Sequence, residues 1–519
     1  MTWKPELEEL ERRRELAQRM GGDERIARAR EAGRGTVRER IDALLDPGSF
    51  RETGTLAGAG EYDDDGRLIG FRPSNFVCGR GRIAGRDVVV GGDDFTVRGG
   101  AADGAIGNKM GWAEKAARDL RVPLVRLVDG TGGGGSVKQQ KKLRRSYVPL
   151  IPDWEVSVEL LATVPVAAAA LGPVAGLGAA RVAASHFSVM VRGTSQLFVA
   201  GPPVVRRALG RDLGKEELGG SHIHARGSGA VDNEAESEAD ALEQVRRFLS
   251  YMPDSVDTLP PRIEPEDDPQ RREEALLSAV PHERRRVYDM RRILEAVLDR
   301  GSLFEIGRGF GRPLVTALAR LDGIAVGVLA NDPKQRGGAI DAAAAEKMTR
   351  FVDLCDTFHL PVVNFVDNPG FMVGVEAERA GTIRAGVRAL AAVYQAQVPW
   401  ASILVRKCFG VAGAGNTAHH RMSLRYAWPS GEWGSLPIEG GVEAAYRRQL
   451  DAAQDPEAMR RQLEEEYASM RSPFLTAEAF GVEEIIDPRD TRPLLVEWAG
   501  RAYATTCSQT GTRARGMRP

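Results

Sequence analysis

Residues 82–132 read RIAGRDVVVGGDDFTVRGGAADGAIGNKMGWAEKAARDLRVPLVRLVDGTG, and residues 320–370 read RLDGIAVGVLANDPKQRGGAIDAAAAEKMTRFVDLCDTFHLPVVNFVDNPG. The two stretches align without a gap at a constant offset of 238 and share 18 identical residues in 51 positions. Unrelated segments of this length would share about three identities. Because a repeat of this length spans a whole supersecondary unit, we interpret the chain as a duplication of one domain.

The same local pattern is predicted in both copies. A β-branched strand comes first, an alanine-rich helix of about three to four turns follows, and a second apolar strand comes last. Strand, helix, strand is typical of parallel pairing, so the predicted fold class is α/β with two duplicated domains. Asp129 and Asp367 follow the second strands and are interpreted as turn formers. These turns lie at the carboxyl edge of the sheet, where ligands of open α/β sheets bind.

Length and charge set the organisation of the chain. A chain of 519 residues predicts two or three domains. We expect a helical arm over 1–46, a first domain over 47–260 and a second domain over 261–519, joined near an acidic, proline-containing linker. Lys and Arg number 71 against 72 Asp and Glu, and the net charge of -1 gives no field that attracts nucleic acid or an anionic membrane.

Several familiar motifs are missing from the sequence. The four cysteines and seven histidines have no metal-ligand or disulfide spacing, so we predict no metal site. GTGGGGSVK at 130–138 lacks the G-K-[ST] order of a phosphate loop, and no G-x-S-x-G elbow occurs. The charged start lacks the apolar core of a signal peptide, and no run approaches the roughly 20 apolar residues of a membrane span. We therefore expect a cytoplasmic protein.

Glycine and alanine cluster in both copies, beyond the second strand. After a single-residue deletion the match resumes at VAGLG (174–178) and VAGAG (411–415), an offset of 237. If each cluster turns from a strand into a helix, free N–H groups and the positive end of the helix dipole form an oxyanion hole. The alternative is that these are packing positions between closely crossed elements. The occurrence of a cluster in each copy favours a pair of holes.

A series of motifs identifies a family resemblance. The chain resembles the carboxyltransferase β subunits of propionyl-CoA, methylcrotonyl-CoA and related acyl-CoA carboxylases almost from end to end. The resemblance is carried by LLDPGSF (44–50), DFTVRGG (94–100), LGPVAGLGA (171–179), GPPVVRRALGRDLGKEELGGSHIHARGSGAVD (201–232), LANDPKQRGGAID (329–341), VDNPGFMVG (366–374), RKCFG (406–410) and AWPSGE (427–432).

The resemblance implies a crotonase-like (ββα superhelix) fold in each copy, with acyl-CoA bound mainly to the N-terminal half and carboxybiotin to the C-terminal half. It implies catalytic amides that face the thioester oxygen at Gly176 and Leu177, and catalytic amides that face the biotin ureido oxygen at Gly410 and Val411. The remaining expected contacts are to substrate at Gly133, Gly134, Gly178, Ala179 and Ala414, and to biotin at Pro369, Gly370 and Phe371.

The resemblance also implies the reaction and its partners. The expected function is transfer of a carboxyl group from carboxybiotin to the α-carbon of an acyl-CoA. Propionyl-CoA or a longer acyl-CoA is favoured, because Ala414 stands about where propionyl-type enzymes carry an aspartate. The chain contains no A-M-K-M biotinylation site and no ATP-grasp glycine loop. We therefore expect biotin on a partner biotin carboxylase/biotin carrier α subunit, and by resemblance a homohexamer built as a trimer of dimers.

The sequence departs from the family at two places. Leu177 replaces the second of two adjacent glycines, where a positive φ would strain a residue with a side chain. The glycine run at 132–135 replaces the usual G-A-R segment. Two alternatives stay open: a biotin-dependent acyl-CoA decarboxylase subunit, which uses the same site in reverse, and a non-catalytic acyl-CoA-binding assembly subunit.

Overall fold

The computed structural model describes residues 2–101, 106–130, 140–141, 144–146, 148, 150–151, 153–417 and 423–519. The chain divides into two compact units: Met1–Thr258 with Gly511–Pro519, and Leu259–Thr510. The arm predicted over 1–46 thus belongs to the first unit. So does the C-terminal tail, because the N–H of Gly511 donates to the carbonyl of Val256 at 2.6 Å and that of Met517 to Leu161 at 3.2 Å.

The first unit contains a mixed sheet of order β1-β4-β5-β6-β7-β9-β11, in which β1, β4 and β5 are antiparallel neighbours and the later pairs are parallel. Its strands are β1 Arg51–Thr53, β2 Gly58–Tyr62, β3 Leu68–Pro73, β4 Phe76–Ile83, β5 Arg86–Asp93, β6 Leu124–Val128, β7 Val166–Ala170, β8 Pro173–Ala175, β9 Phe187–Val191, β10 Gln196–Phe198 and β11 Asn233–Ala235. Its helices are α1 Lys4–Gln18, α2 Asp23–Glu31, α3 Val37–Leu44, α4 Gly107–Leu120, α5 Trp154–Leu160, α6 Leu177–Ala183, α7 Pro202–Leu209, α8 Lys215–Gly219 and α9 Glu238–Ser250, with a 3-10 turn at Arg98–Gly100 and a π-helical turn at His222–Ser228.

The second unit contains a sheet of order β12-β13-β14-β15-β16-β17-β19, with β18 paired to β16. Its strands are β12 Phe304–Ile306, β13 Leu314–Leu321, β14 Ile324–Asn331, β15 Val362–Asn368, β16 Trp400–Phe409, β17 Leu424–Ala427, β18 Glu432–Gly434 and β19 Glu484–Ile485. Its helices are α10 Met290–Val297, α11 Ala342–Thr357, α12 Val375–Arg379, α13 Thr382–Gln395, α14 Gly410–Ala414, α15 Ile438–Ala445, α16 Arg447–Ala452, α17 Pro456–Ala468, α18 Pro473–Glu478 and α19 Thr491–Thr506, with 3-10 turns at Glu274–Ser278, Arg336–Gly338, Ser469–Arg471, Pro488–Asp490 and Cys507–Gln509.

The two units confirm the predicted duplication. Strands β4 and β13, β5 and β14, and the two 3-10 turns correspond at the offset of 238 read from the sequence, and β6 and β15 begin at that same offset. In both sheets two antiparallel pairs come first, and parallel pairs follow from β5 and β14 onward. The parallel strands β5 and β6, and β14 and β15, are joined by crossovers that contain a helix, as the strand-helix-strand pattern predicts.

The parallel strands are buried on both faces. Every residue of β6, β7 and β14 is buried, which explains why these strands are mostly apolar rather than alternating, with Arg126 of β6 as a charged exception. In the second unit, Leu495 and Trp498 of α19 pack with β13 and β14 in one hydrophobic cluster. Within the residues the structure describes, no helix has the length and apolar character needed to cross a bilayer.

One ionic cluster lies inside the first unit. Arg126 of β6 donates to Glu114 of α4 at 3.0 Å, and Arg181 of α6 donates to the same carboxylate at 3.2 Å. All three side chains are buried. Burial opposes ionisation of Glu114, but the two guanidinium groups outweigh it and hold the pKa of this carboxyl below its ordinary value. The cluster fixes α6, the helix that follows Gly176, against the central strand.

Replacing Glu114 with Gln should therefore lower the free energy of unfolding by about 3–5 kcal/mol, because two buried guanidinium groups lose their counter-ion. Urea unfolding of the full chain measures the change. Glu159→Gln is the matched control, since Glu159 pairs with Arg118 at 3.0 Å on the surface, and we expect a change of at most about 1 kcal/mol. Equal losses in the two variants would contradict this account.

Candidate active site

A glycine turn precedes helix α6 in the first unit. Strand β8 pairs in parallel with β10, and the N–H of Gly176 extends this pairing by donating to the carbonyl of Phe198 at 3.1 Å. Gly176 then adopts φ 63 and ψ -123. Residues with a side chain rarely adopt this region, so glycine is required for the sharp entry into α6. A Cβ built on Gly176 meets nothing within 4 Å, so the space beside the turn is open.

The second unit contains the equivalent turn. The last three residues of β16 pair in parallel with β18, as β8 pairs with β10. Gly410 follows with φ 63, the value found at Gly176, and begins helix α14. A Cβ built on Gly410 would come within 3.3 Å of the carbonyl oxygen of Ser435. Strand, left-handed glycine and short helix thus recur at the same topological point of both units.

The sequence match at this place has a different register. The VAGLG and VAGAG segments align Gly176 with Gly413, whereas the structure makes Gly176 and Gly410 equivalent. The reason lies in the preceding strand, which is continuous through β16 but is split into β7 and β8 at Leu171 and Gly172. The two clusters share glycine and alanine composition without sharing a residue-by-residue alignment.

Leu177 does not carry the expected strain. The structure gives the positive φ to Gly176, and Leu177 is the first residue of helix α6 with a negative φ. The amides of Leu177 and Val411 lie in the first turn of a helix, where an N–H group has no acceptor within its own helix. The two side chains are exposed, by 38% and 65%. The amide of Gly176, in contrast, is already bonded to Phe198.

The other expected substrate contacts fall in three situations. Gly133 and Gly134 lie outside the described residues. Gly178 and Ala179 lie on the inner side of α6, where a Cβ on Gly178 would come within 2.9 Å of Val174, and Ala179 packs on a hydrophobic cluster. Ala414 is exposed and lies three residues from Val411, on the same side of α14.

The expected biotin contacts lie beside helix α14. Pro369, Gly370 and Phe371 follow β15, and the N–H of Met372 and the carbonyl of Gly370 both bond to Ile340. The ring of Phe371 packs against helix α13. A Cβ built on Gly386 of that helix would come within 2.7 Å of the ring. Phe371 and Ala412 of α14 line a common cavity of about 30 Å³. The structure thus brings the aromatic side chain and the second glycine turn together.

Asp129 and Asp367 are more than the turn formers predicted from the sequence. The carboxylate of Asp129 accepts from Arg40 at 2.8 Å and Arg34 at 3.2 Å. That of Asp367 accepts from Arg406 at 3.0 Å and from the hydroxyl of Tyr288 at 2.9 Å. Both aspartates are fully buried. Their shared position was visible in the repeat, but the arginines come from distant segments that carry no sequence signal of the pairing.

A second pair of residues supports these aspartates. The backbone N–H of Asp129 donates to Asp93 at 3.1 Å, and that of Asp367 donates to the equivalent residue, Asn331, at 3.2 Å. The backbone N–H of the aspartate is thus accepted by a carboxylate in the first unit and by a side-chain amide oxygen in the second. Burial raises the pKa of Asp93 to about 6.

The raised pKa predicts a pH dependence of stability. Because the folded state binds the proton of Asp93 more tightly than the unfolded state does, stability falls as the pH rises from about 4 to about 6. Asp93→Asn should remove this loss and raise the free energy of unfolding at pH 8 by on the order of 2 kcal/mol. Urea unfolding of wild type and Asp93→Asn at pH 4, 6 and 8 measures the free energy of unfolding at each pH. The reciprocal Asn331→Asp should introduce a loss at pH 8, and an Asp93→Asn protein less stable than wild type at that pH would refute the assignment.

The fold and the two glycine turns define a duplicated, crotonase-like α/β protein that presents helix first-turn amides at one point in each unit. The carboxyl transferase domain matches residues 28–517, and the chain belongs to that family. It is 35% identical over 501 residues to the propionyl-CoA carboxylase carboxyltransferase subunit of Haloferax mediterranei, covering 96% of both chains.

Two further relatives agree with this assignment. The structure superposes on the transcarboxylase 12S hexamer structure with bound methylmalonyl-coenzyme A and methylmalonic acid, with a TM-score of 0.86, 31% identity and coverage of 100% of this chain and 97% of the other. The methylmalonyl-CoA decarboxylase subunit alpha of Veillonella parvula is 30% identical over 495 residues, covering 95% of this chain and 94% of its own. The predicted family, the duplicated crotonase-like fold and the predicted carboxyl-transfer enzyme are confirmed.

Proposed function

We propose that the protein transfers a carboxyl group from carboxybiotin, carried on a separate subunit, to the α-carbon of an acyl-CoA. The observation that supports the two-substrate reaction is the pair of turns at Gly176 and Gly410, which share a φ of 63° at the same topological point of the two units. A carboxyl transfer of this kind develops negative charge on two carbonyl oxygens, one in the thioester and one in the biotin ureido group. Two sets of backbone donors fit that need.

Acyl-CoA is proposed to bind the first unit. The space beside Gly176 is open, so a thioester can approach the start of α6 without meeting a side chain. The first-turn amide of Leu177 then donates to the thioester oxygen, with the dipole of α6 aligned in support. A donor of this kind contributes about 3 kcal/mol to the transition state. The bond from Gly176 to Phe198 holds the turn in place before substrate arrives.

Biotin is proposed to bind the second unit. A Cβ on Gly410 would lie 3.3 Å from the carbonyl oxygen of Ser435. Because glycine leaves this space free, a flat group such as the biotin ring can lie against the turn. The amides of Gly410 and Val411 would hold the ureido oxygen, and Phe371 beside Ala412 would shape the pocket. When bound, biotin supplies the carboxyl group in activated form. The residues of this chain orient it and exclude water.

The acyl chain and the assembly are finer proposals. Ala414 is small and exposed beside Val411, which supports a site that admits propionyl or longer chains. The hexameric assembly in the transcarboxylase 12S structure supports a homohexamer here. A biotin carboxylase/biotin carrier α subunit and a cytoplasmic location remain predictions. The decarboxylase relative keeps the reverse direction as a second candidate, since one surface serves both directions.

An assay of the chain with a biotin-carrying carboxylase subunit tests the reaction and its substrate. With ATP, bicarbonate and a series of acyl-CoA thioesters, we expect carboxylation of propionyl-CoA or longer thioesters, and no product when the partner is omitted. If acetyl-CoA were carboxylated and no longer thioester were, the substrate assignment would be refuted. Carboxylation without a partner would refute the division between subunits. Loss of carboxylate from malonyl-type thioesters, with no forward reaction, would favour the decarboxylase.

Alanine at either glycine turn tests the two proposed sets of donors. Gly176→Ala and Gly410→Ala should each lower kcat by about 100-fold, because the first-turn amides move when the positive φ is lost. Gly66→Ala is the matched control: Gly66 has φ 77, is exposed and has nothing within 4 Å of a built Cβ. It should lose comparable stability and keep full activity. Site variants that retain wild-type kcat would rule out the turns as donor sites.

A further inference from the structure

Three neighbouring strands of the second unit end beside the second glycine turn. Strand β15 leads into Phe371, and β16 leads into Gly410. Strand β18 leads into Ser435, whose carbonyl oxygen would lie 3.3 Å from a Cβ on Gly410. Residues 284–288 contact all three strands, and we call this segment the edge strap. One short segment thus touches every strand that leads into the proposed biotin site.

The first contact of the edge strap is to β18. Arg284 donates to one carboxylate oxygen of Glu432 through Nε at 3.1 Å, and its Nη2 lies 2.9 Å from the same oxygen. Glu432 is only 8% exposed, and its other carboxylate oxygen has no hydrogen-bond partner among the residues that the structure describes. Arg471 lies farther away, at 4.0 Å. Loss of Arg284 would therefore leave a buried carboxylate without its hydrogen-bond donor, which is costly.

The second contact is to β15 and β16 together. The hydroxyl of Tyr288 donates to Asp367 of β15 at 2.9 Å, and the guanidinium of Arg406 of β16 lies 4.8 Å from the centroid of the Tyr288 ring. Arg406 also donates to the carbonyl of Arg286 at 3.0 Å. Burial, with the nearby charge of Asp367, raises the pKa of the Tyr288 hydroxyl well above its ordinary value, so this group stays a donor. The edge strap therefore joins the ends of the two strands.

The first unit has a contact at the same topological place. Arg34 lies just before α3, as Tyr288 lies just before α10, and each helix leads into the edge strand of its sheet. Arg34 donates to Asp129 at 3.2 Å, as Tyr288 donates to Asp367. The link between this segment and the strand-end aspartate thus occurs in both units, with a guanidinium donor in one and a hydroxyl donor in the other.

We propose that Arg284 and Tyr288 of the edge strap are positioning residues for the biotin half of the reaction. They act through Glu432 and Asp367, which lie on strands that lead into the site. A displacement of about 1 Å at a reacting group can lower a rate about 100-fold, so the strand ends must be held to set the donors at Gly410. This inference rests on the proposed function of the second unit.

Two substitutions in the full chain test the proposal. Arg284→Gln removes the guanidinium donors to Glu432, and Tyr288→Phe removes the hydroxyl but keeps the ring. In each variant, amide hydrogen exchange of residues 407–415, measured by mass spectrometry, should be about fivefold faster than in wild type. In assays with a biotin-carrying subunit, kcat/KM for that subunit should fall about tenfold, while KM for the acyl-CoA stays that of wild type.

Arg285→Gln and Tyr503→Phe are the matched controls. Arg285 is the exposed neighbour of Arg284, so its substitution makes the same change of charge at the same place. Tyr503→Phe removes a hydroxyl that donates to the carbonyl of Pro260 at 3.2 Å, outside the edge strap. Both controls should match wild type in exchange and in kinetics. Arg284→Lys, which keeps the charge and a donor, should recover part of the loss.

Exchange and kinetics together separate the outcomes. Faster exchange at residues 407–415, with a kinetic loss confined to the biotin-carrying subunit, supports the proposal. Wild-type exchange, or faster exchange with unchanged kinetics, would overturn it. So would an equal loss toward both substrates, which is typical of a general loss of structure, or an equal loss in Arg285→Gln, which indicates a charge effect. If the chain carboxylates no thioester, the proposed function fails, and exchange alone decides whether the edge strap fixes the turn.

Discussion

A buried carboxylate at the carboxyl end of the central parallel strand is the constraint on which each unit depends. Asp129 and Asp367 are fully buried, so each must recruit guanidinium partners. Arg40 meets Asp129 and also donates to the carbonyl of Leu171 at 3.0 Å, which fixes the chain just before β8. In the second unit Arg406 comes from β16, the strand that runs into Gly410. In both units, the residue that neutralises the aspartate also holds the path to the glycine turn.

The duplication keeps geometry and changes chemistry. Asp93 and Asn331 accept the same backbone N–H, although only one of them can carry charge. Arg126 belongs to a buried ion cluster, whereas the equivalent residue, Asn364, donates to the carbonyl of Asn416 at 3.0 Å. Backbone positions are thus retained, while at these two positions the first unit has a charged side chain and the second has an amide.

Sequence periodicity predicted the elements that repeat at the constant offset of 238, because a shared strand-helix-strand pattern survives divergence. It could not align Gly176 with Gly410. Gly and Ala occur at several neighbouring positions, so the two clusters match equally well in a wrong register. The burial of Asp129 was equally hidden, because its partner Arg40 is 89 residues away. The return of the C-terminal tail to the first unit involves two backbone bonds and the burial of Met517, a single apolar residue that forms no periodic pattern in the sequence.

The glycine turns also explain why the residue after each glycine is free to vary. The left-handed φ falls on Gly176 and Gly410, and only there is a side chain excluded. In the helix that follows, the donor of the proposed reaction is a backbone N–H, which Leu177 and Val411 have as glycine does. Their side chains are exposed and point away from the core. In the proposed reaction, oxyanion stabilisation would depend on main-chain geometry and ligand selection on exposed side chains such as Leu177, Val411 and Ala414, so the two could change independently.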